Sequence, residues 1–401
     1  MSQWDTVQFE QLLVDNKISY GVVQPGAFQT NAGTPLIRVN NIKNGKIDVS
    51  GIVRIHDDIA KKHSKTRLNG GELLITVVGA VGECAIVPKD LSGYNVTRAV
   101  SVAKIKDIFD KRFIAYQFKT EDIKFQMYGN TNDTVQPTLN LSELKKLIFR
   151  LPKLSEQKAI ASVLSALDDK IDLLHRQNRT LESMAETLFR QWFIEEAQDE
   201  WIYEDLGSVI DTSSGGTPSR KEMSFYQNGI YNWVKSKELN GSLLTKTEEM
   251  ITDEAIKKSS AKLLPAYSTL IAMYGATVGE YALTTKEMAC NQAVCALKNN
   301  KKYPYTFIFM YIKSKKNELI NQAIGSAQQN ISQIIIKKMP IPTCHDLIAE
   351  YHTQVEAYFD SIKLNIEKIQ TLENLRDILL PKLMSGEVQV RYAEEAISSV
   401  A

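Results

Sequence analysis

The feature that most constrains the fold is a heptad pattern that occurs twice. From Ser155 to Phe193 the chain reads SEQKAIASVLSALDDKIDLLHRQNRTLESMAETLFRQWF. One seam carries Ile160, Leu167, Leu174, Leu181 and Leu188; the other carries Leu164, Ile171, Asn178, Ala185 and Trp192. A seam kept over about five heptads predicts a long helix that buries itself against another helix. Moving 191 residues on, the same seams read Tyr351, Tyr358, Asn365, Leu372, Leu379 and Val355, Ile362, Ile369, Arg376, Leu383. The chain therefore holds both partners. Asn178 lies on the second seam of its helix and Asn365 on the first of its own, so an antiparallel pairing sets the two asparagines face to face. The same register matches Ile160 with Leu383, Leu164 with Leu379, Ile171 with Leu372, Leu174 with Ile369, Leu181 with Ile362 and Leu188 with Val355. Small Ala185 then faces Tyr358. Leu167 faces Arg376, whose stem packs while its head is expected to reach water. The bland alternative makes each heptad the apolar face of a helix on its own domain.

At 401 residues, 43% hydrophobic and 24% charged, the chain has room for two to three globular domains. It shows no apolar run long enough for a bilayer and no cationic, apolar-cored leader after Met1, so a cytoplasmic protein without a membrane partner is expected. Cys84, Cys290, Cys295 and Cys344 form no CxxC pair and the histidines have no zinc spacing; reduced thiols and no metal are expected. The net charge of +1 hides a segregation. Residues 1–150 and 201–343 each carry +5, whereas residues 151–200 carry −4 and residues 344–401 carry −5. Basic globular segments alternate with acidic helices, which points towards a polyanionic partner for the globular parts.

The globular parts repeat as well. Gly71 to Val87, GELLITVVGAVGECAIV, reads as two buried strands around a glycine turn, and Ser268 to Thr284, STLIAMYGATVGEYALT, repeats it. Gly79, Gly82, Gly275 and Gly279 are read as turn residues. Ile18–Gly26 and Pro35–Ile47 read as further strands with polar loops at their ends. NVTRAVSVAK from Asn95 is echoed by NQAVCALK from Asn291. The helical stretch Arg112–Thr120 is echoed by Tyr305–Ser314, and the polar loop Gly129–Asn140 by Gly325–Ser332. Prolines 152 and 342 lead into the two long helices. The segments are thus 1–152, 153–199, 200–342, 343–386 and a tail, 387–401. A shared framework with divergent loops suits one fold used twice to recognise different things.

In these residues the chain resembles the specificity subunit of a type I DNA restriction-modification system. The resemblance runs to about Val388 and rests on LPKLSEQKAIASVLSALDDKID, SGGTPSRKEMSFYQNGIYNWVKSKEL, the two Gly-Ala-(x)-Val-Gly-Glu turns and LLPKLMSGE. Helix two departs from it, opening on CHDLIAEYH where helix one has SEQKAIA. The resemblance implies an α/β (α+β) protein with two pseudo-repeated target-recognition domains, 1–152 and 200–342, each followed by a long helix. The two helices would pair as an antiparallel coiled coil. It further implies that each domain reads half of a bipartite site in double-stranded DNA and that the helices dock two modification subunits, with restriction/translocase subunits joining for cleavage. A helix of 39 residues spans about 58 Å, so the coil would act as a ruler between half-sites.

Catalytic motifs are not apparent. The chain carries no G-x-x-x-x-G-K-[ST] loop, and GGTPSRK lacks that spacing. It also carries no Asn/Asp-Pro-Pro-aromatic motif of an amino-methyltransferase. A non-catalytic subunit without cofactors is expected, its partners supplying chemistry with S-adenosylmethionine, ATP and Mg. Base reading requires Asn or Gln for adenine and Arg or Lys for guanine, with further polar groups on phosphates. The candidates in the first domain are Gln24, Arg38, Asn40, Asn41, Lys43, Arg67, Arg98, Asn130, Thr131 and Gln136. Those in the second are Thr217, Ser219, Arg220, Lys235, Lys237, Asn291, Gln292, Gln328, Gln329 and Asn330. Tyr20, Tyr128, Tyr226 and Tyr274 could stack on a base, although core or surface roles suit them better. The competing readings are a specificity subunit whose partner combines methylation and cleavage in one chain, and a coiled-coil protein–protein scaffold without DNA specificity.

Overall fold

The computed structural model describes residues 4–27, 32–129, 137–323 and 330–398. It divides into two compact units, residues 1–171 with 371–401 and residues 172–370, so the division falls inside both long helices.

In the first unit a four-stranded antiparallel sheet runs in the order Leu13–Tyr20, Val100–Ile105, Leu73–Thr76, Cys84–Ile86. Its inner strand Leu73–Thr76 is buried on both faces, as an unbroken apolar run requires. A second sheet sets Thr34–Ile37 between Val53–Ile55 and Asn95–Val96, the latter pair parallel. Pro35–Ile47 is thus not one strand. After Ile37 the chain turns through a single 3-10 turn, Val39–Asn41, and then a two-residue hairpin, Ile42–Lys43 with Lys46–Ile47. Asn44 and Gly45 both have positive φ, which is the Asn-Gly chemistry of a tight hairpin. The expected helix near Arg112 spans Lys111–Gln117, and a second helix, Glu121–Gly129, follows it. Phe9, Phe118 and Phe149 close the core with ring centres 5.2–5.4 Å apart. The tail includes the helix Val390–Ser398, with Ala393 fully buried.

The second unit repeats this plan with longer sheets. Thr212–Ser214, Val294–Leu297, Thr269–Ala272, Tyr281–Thr284 and Leu243–Leu244 form one sheet. The other comprises Met250–Ile251, Tyr231–Val234, Met288–Cys290 and Leu263–Leu264, again with one internal parallel pair. Here a single helix, Tyr305–Asn321, replaces the two short helices, and eight consecutive residues from Tyr305 to Ile312 are buried.

The heptad segments are helices Leu154–Arg190 and His345–Met384. They run antiparallel within each unit. In the second unit Asn365 Nδ2 donates to Asn178 Oδ1 at 2.8 Å, and Trp192 meets Tyr351 edge-on at 6.2 Å. Helix one ends there in a π-helical turn, Gln191–Glu195, that buries Phe193. In the first unit Arg376 departs from expectation. Its head does not run out to water but donates to Asp168 at 3.0 Å and to Asp377 at 3.0 Å, and its side chain stays 24% exposed. A seam arginine is tolerable here because carboxylates flank it on both helices.

Candidate nucleic-acid interface

Backbone hydrogen bonds give the residue-by-residue equivalence of the two domains. Val22 N donates to Val96 O at 2.7 Å, and Gly216 N donates to Cys290 O at 2.9 Å. Thr97 N donates to Ile37 O at 2.9 Å, and Asn291 N donates to Val234 O at 2.9 Å. Gly21 and Gly215 precede these bonds, and a Cβ on either would overlap the Val96 or Cys290 carbonyl. Only glycine lets the strand pass so near. By this frame Arg38 matches Lys235, Asn40 matches Lys237, Thr97 matches Asn291 and Arg98 matches Gln292. Asn291 therefore corresponds to Thr97, two residues beyond the Asn95 suggested by the shared asparagine; Asn95 itself is fully buried.

In domain one Arg38, Asn40 and Lys43 line a shallow groove of about 810 Å³ together with Ala80, Glu83, Thr97 and Ala99. Arg98, on the same turn, is exposed. The groove sits beside residues 137–139, because Gly79 N donates to Pro137 O at 2.9 Å and Leu139 N to Val77 O at 2.9 Å. Asn41 is a correction. It is 5% exposed, its Oδ1 accepts from Arg38 N at 2.9 Å and its Nδ2 donates to Asp48 O at 2.8 Å, so it shapes the turn and is not presented to a ligand. Gln24 is exposed beyond the Val22 bridge, and Arg67 lies against Gly93 without lining the groove. Asn130, Thr131 and Gln136 lie outside the described residues, as do Gln328 and Gln329.

Domain two builds the same edge from different side chains. Lys235 N donates to Glu238 Oε2 at 2.7 Å, the bond that Asn41 makes in domain one. Thr217 donates to Gln292 Oε1, and Asn291 Oδ1 accepts from Ala293 N at 3.2 Å. Asn330 is exposed and bridges Tyr274 as Thr138 bridges Val78. Ser219 is exposed, and its hydroxyl accepts from Lys221 N at 3.4 Å. Arg220 stacks over the rings of Tyr226 and Trp233, 4.5 and 5.3 Å from their centres, and donates to Glu249 at 2.6 Å. Lys235 donates to the other oxygen of Glu249 at 2.6 Å. Hydrogen bonds from Arg220 and then Lys235 hold the Glu249 carboxyl down at about 2. Tyr226 donates to Pro218 O at 2.7 Å and Trp233 Nε1 to Gly216 O at 3.1 Å, fixing the Gly215–Arg220 segment.

Sequence reasoning missed Glu248, Glu249, Tyr226 as a cation platform, and Trp233. It also passed over the helices Asp57–Lys62 and Asp253–Lys258, whose DDIAKK and DEAIKK repeat at the same offset as the glycine turns. Their first acids accept from equivalent strand residues, Asp57 from Thr34 at 2.7 Å and Asp253 from Tyr231 at 3.0 Å. Burial pushes the Cys84 and Cys290 thiols up to about 12, which suits packing and opposes nucleophilic use.

Comparison with known proteins places this architecture. The family model of the type I restriction modification DNA specificity domain matches twice, over residues 15–183 and 198–374. The specificity subunit of the type I restriction enzyme MjaIX of Methanocaldococcus jannaschii is 27% identical over 345 residues, covering 80% of this chain and 78% of the relative. That of HindI of Haemophilus influenzae is 21% identical, covering 92% of this chain and 98% of the relative. The crystal structure of the type I restriction-modification S subunit from M. genitalium superposes with a TM-score of 0.62 at 16% identity over 95% of this chain and 96% of that one, which supports the fold. Two matched domains, each built on the same hydrogen-bonded edge, establish that the chain belongs to the type I restriction-modification DNA specificity family.

Proposed function

We propose that this chain is the non-catalytic DNA-reading subunit of a type I restriction-modification complex, with each domain reading one half of a bipartite duplex site. The observation that carries this reading is the repeated edge, where one backbone frame presents Arg38, Asn40, Thr97 and Arg98 in one domain and Lys235, Lys237, Asn291 and Gln292 in the other. A common frame supplies the phosphate-positioning contacts, while exchanged side chains change which base edges are matched. The antiparallel helices set the distance between the domains and dock two modification subunits. Those subunits supply S-adenosylmethionine chemistry at adenine, and restriction/translocase subunits supply ATP- and Mg-dependent cleavage. The complex works on DNA in the cytoplasm; among the described residues no helix is long and apolar enough to cross a membrane.

The test is duplex binding by the full chain co-expressed with its modification subunit, measured across a salt series. A DNA reader loses affinity steeply as salt rises and prefers one sequence over random duplex. A protein–protein scaffold shows no sequence preference at any salt, and that result would overturn the reading.

A further inference from the structure

Domain two holds an ion-pair network for which domain one lacks the residues. Lys235 Nζ lies 2.6 Å from Glu249 Oε1 and 3.3 Å from Glu248 Oε2. Lys237 Nζ lies 2.7 Å from Glu248 Oε2, and Arg220 Nη1 lies 2.6 Å from Glu249 Oε2. Two carboxylates therefore occupy the three cations that the sequence marks in this domain as DNA ligands. The carboxylates are themselves fixed. Glu238 accepts from Glu248 N at 2.7 Å with one oxygen and from Lys235 N at 2.7 Å with the other. Thr247 is tied to Asn232 at 3.0 Å and donates to Glu249 O at 2.6 Å. In domain one the strand register sets Val53 opposite Leu36, where domain two has Glu249 beside Trp233, so Ile52 and Val53 stand in the places of Glu248 and Glu249.

We propose that Glu248 and Glu249 are specificity-determining residues that act as an internal phosphate mimic, holding Arg220, Lys235 and Lys237 until DNA phosphates exchange for them. The proposal rests on the DNA-reading function and deepens it. Non-specific binding is driven by cations that release counterions from the duplex, one cation per phosphate. A cation already paired with a carboxylate gains little from a phosphate, and the displaced carboxylate then repels the backbone. Domain two thus binds random duplex weakly, and only a site that adds base contacts completes the exchange. The mimic lowers non-specific affinity more than specific affinity.

The experiment uses the full chain with its co-expressed modification subunit, titrated against a random duplex and a duplex carrying its methylated site, over a salt series. Glu249→Gln releases Arg220 and leaves Lys235 only its 3.3 Å contact with Glu248. Its salt slope on random duplex should steepen by up to about 2, at about 0.9 per phosphate contact, and the specific-to-random affinity ratio should fall about tenfold. Glu249→Asp, which keeps a carboxylate, should restore most of the wild-type ratio. The charge control is Glu254→Gln, whose carboxylate lies 2.8 Å from Lys258 on the helix Asp253–Lys258; it should leave the ratio unchanged. In an Arg220→Gln, Lys235→Gln background, Glu249→Gln should add nothing to the slope. A Glu249→Gln slope equal to that of Glu254→Gln, or weaker binding to random duplex, would overturn the mimic. Wild-type complex that binds no duplex would overturn the DNA reading itself, whereas wild-type binding with an unmoved slope overturns only this proposal.

Discussion

Replacing Asn365 by leucine tests the polar layer that sets the helical register. The Asn365 amide donates to Asn178 Oδ1 at 2.8 Å, and both side chains are half-buried between apolar layers that include Leu174, Ile369 and Ile362. Asn365→Leu leaves the Asn178 amide facing hydrocarbon, at a cost of about 1–2 kcal/mol for a half-buried unsatisfied group. Asn178→Leu does the same from the other side. The double replacement removes both polar groups and completes an apolar layer, so it should be at least as stable as the wild type. The coupling between the two sites should then be about 2–4 kcal/mol. For a unit the size of residues 172–370, about 1 kcal/mol shifts Tm by about 2–4 °C, so each single variant should melt about 2–8 °C lower. Tryptophan fluorescence reports this transition, because Trp192 packs on Tyr351 in the same helix pair. The double variant should also lose the preference for a single register, visible as faster amide exchange along both helices. Single variants that are neutral, or a double variant equal to the sum of two losses, would refute the argument.

Other outcomes follow from the same account. A four-residue insertion near Trp192 should change the unread spacer between half-sites and leave both half-sites intact; methylation mapping checks it, and an unchanged spacer opposes the ruler. Gly215→Ala drives a Cβ into the Cys290 carbonyl and should destabilise the second unit by about 1–3 kcal/mol, read by its melting transition, with loss of one half-site only. The Glu249 carboxyl is held near 2 against an ordinary 4.5, so the folded state binds this proton less readily than the unfolded one. Its contribution to stability is complete above the ordinary value and is lost as pH falls through about 2. Urea midpoints between pH 5 and 3 should therefore fall more for wild type than for Glu249→Gln.

The parts of this fold that could be read directly were those written in short-range periodicity. Five heptads with one asparagine each determine partner, direction and register together, and the Asn178–Asn365 bond follows from seam positions alone. The paired glycine turns likewise marked equivalent hairpins, because Gly79 and Gly275 share a positive φ. What stayed hidden depended on strand register. Glu248 and Glu249 reach Lys235 from a neighbouring strand, and no local pattern announces that a loop lysine will find them there. Asn41 looked like an adenine reader but closes its own turn, since a short amide satisfies backbone groups as readily as a base. The shared Asn95 and Asn291 suggested an alignment two residues out; the hydrogen bonds of Thr97 and Asn291 correct it. The DDIAKK and DEAIKK repeat was legible and would have supplied one more anchor.

The central claim, that each domain reads its own half-site, is tested most directly by mapping N6-methyladenine in a host without adenine methylation that expresses this chain with its modification subunit. The account predicts one bipartite motif, and exchange of residues 200–342 for the corresponding domain of a relative should change one half while the other half and the spacer remain. A motif that shifts in both halves, or methylation that is absent although the modification subunit is bound and active, would contradict it.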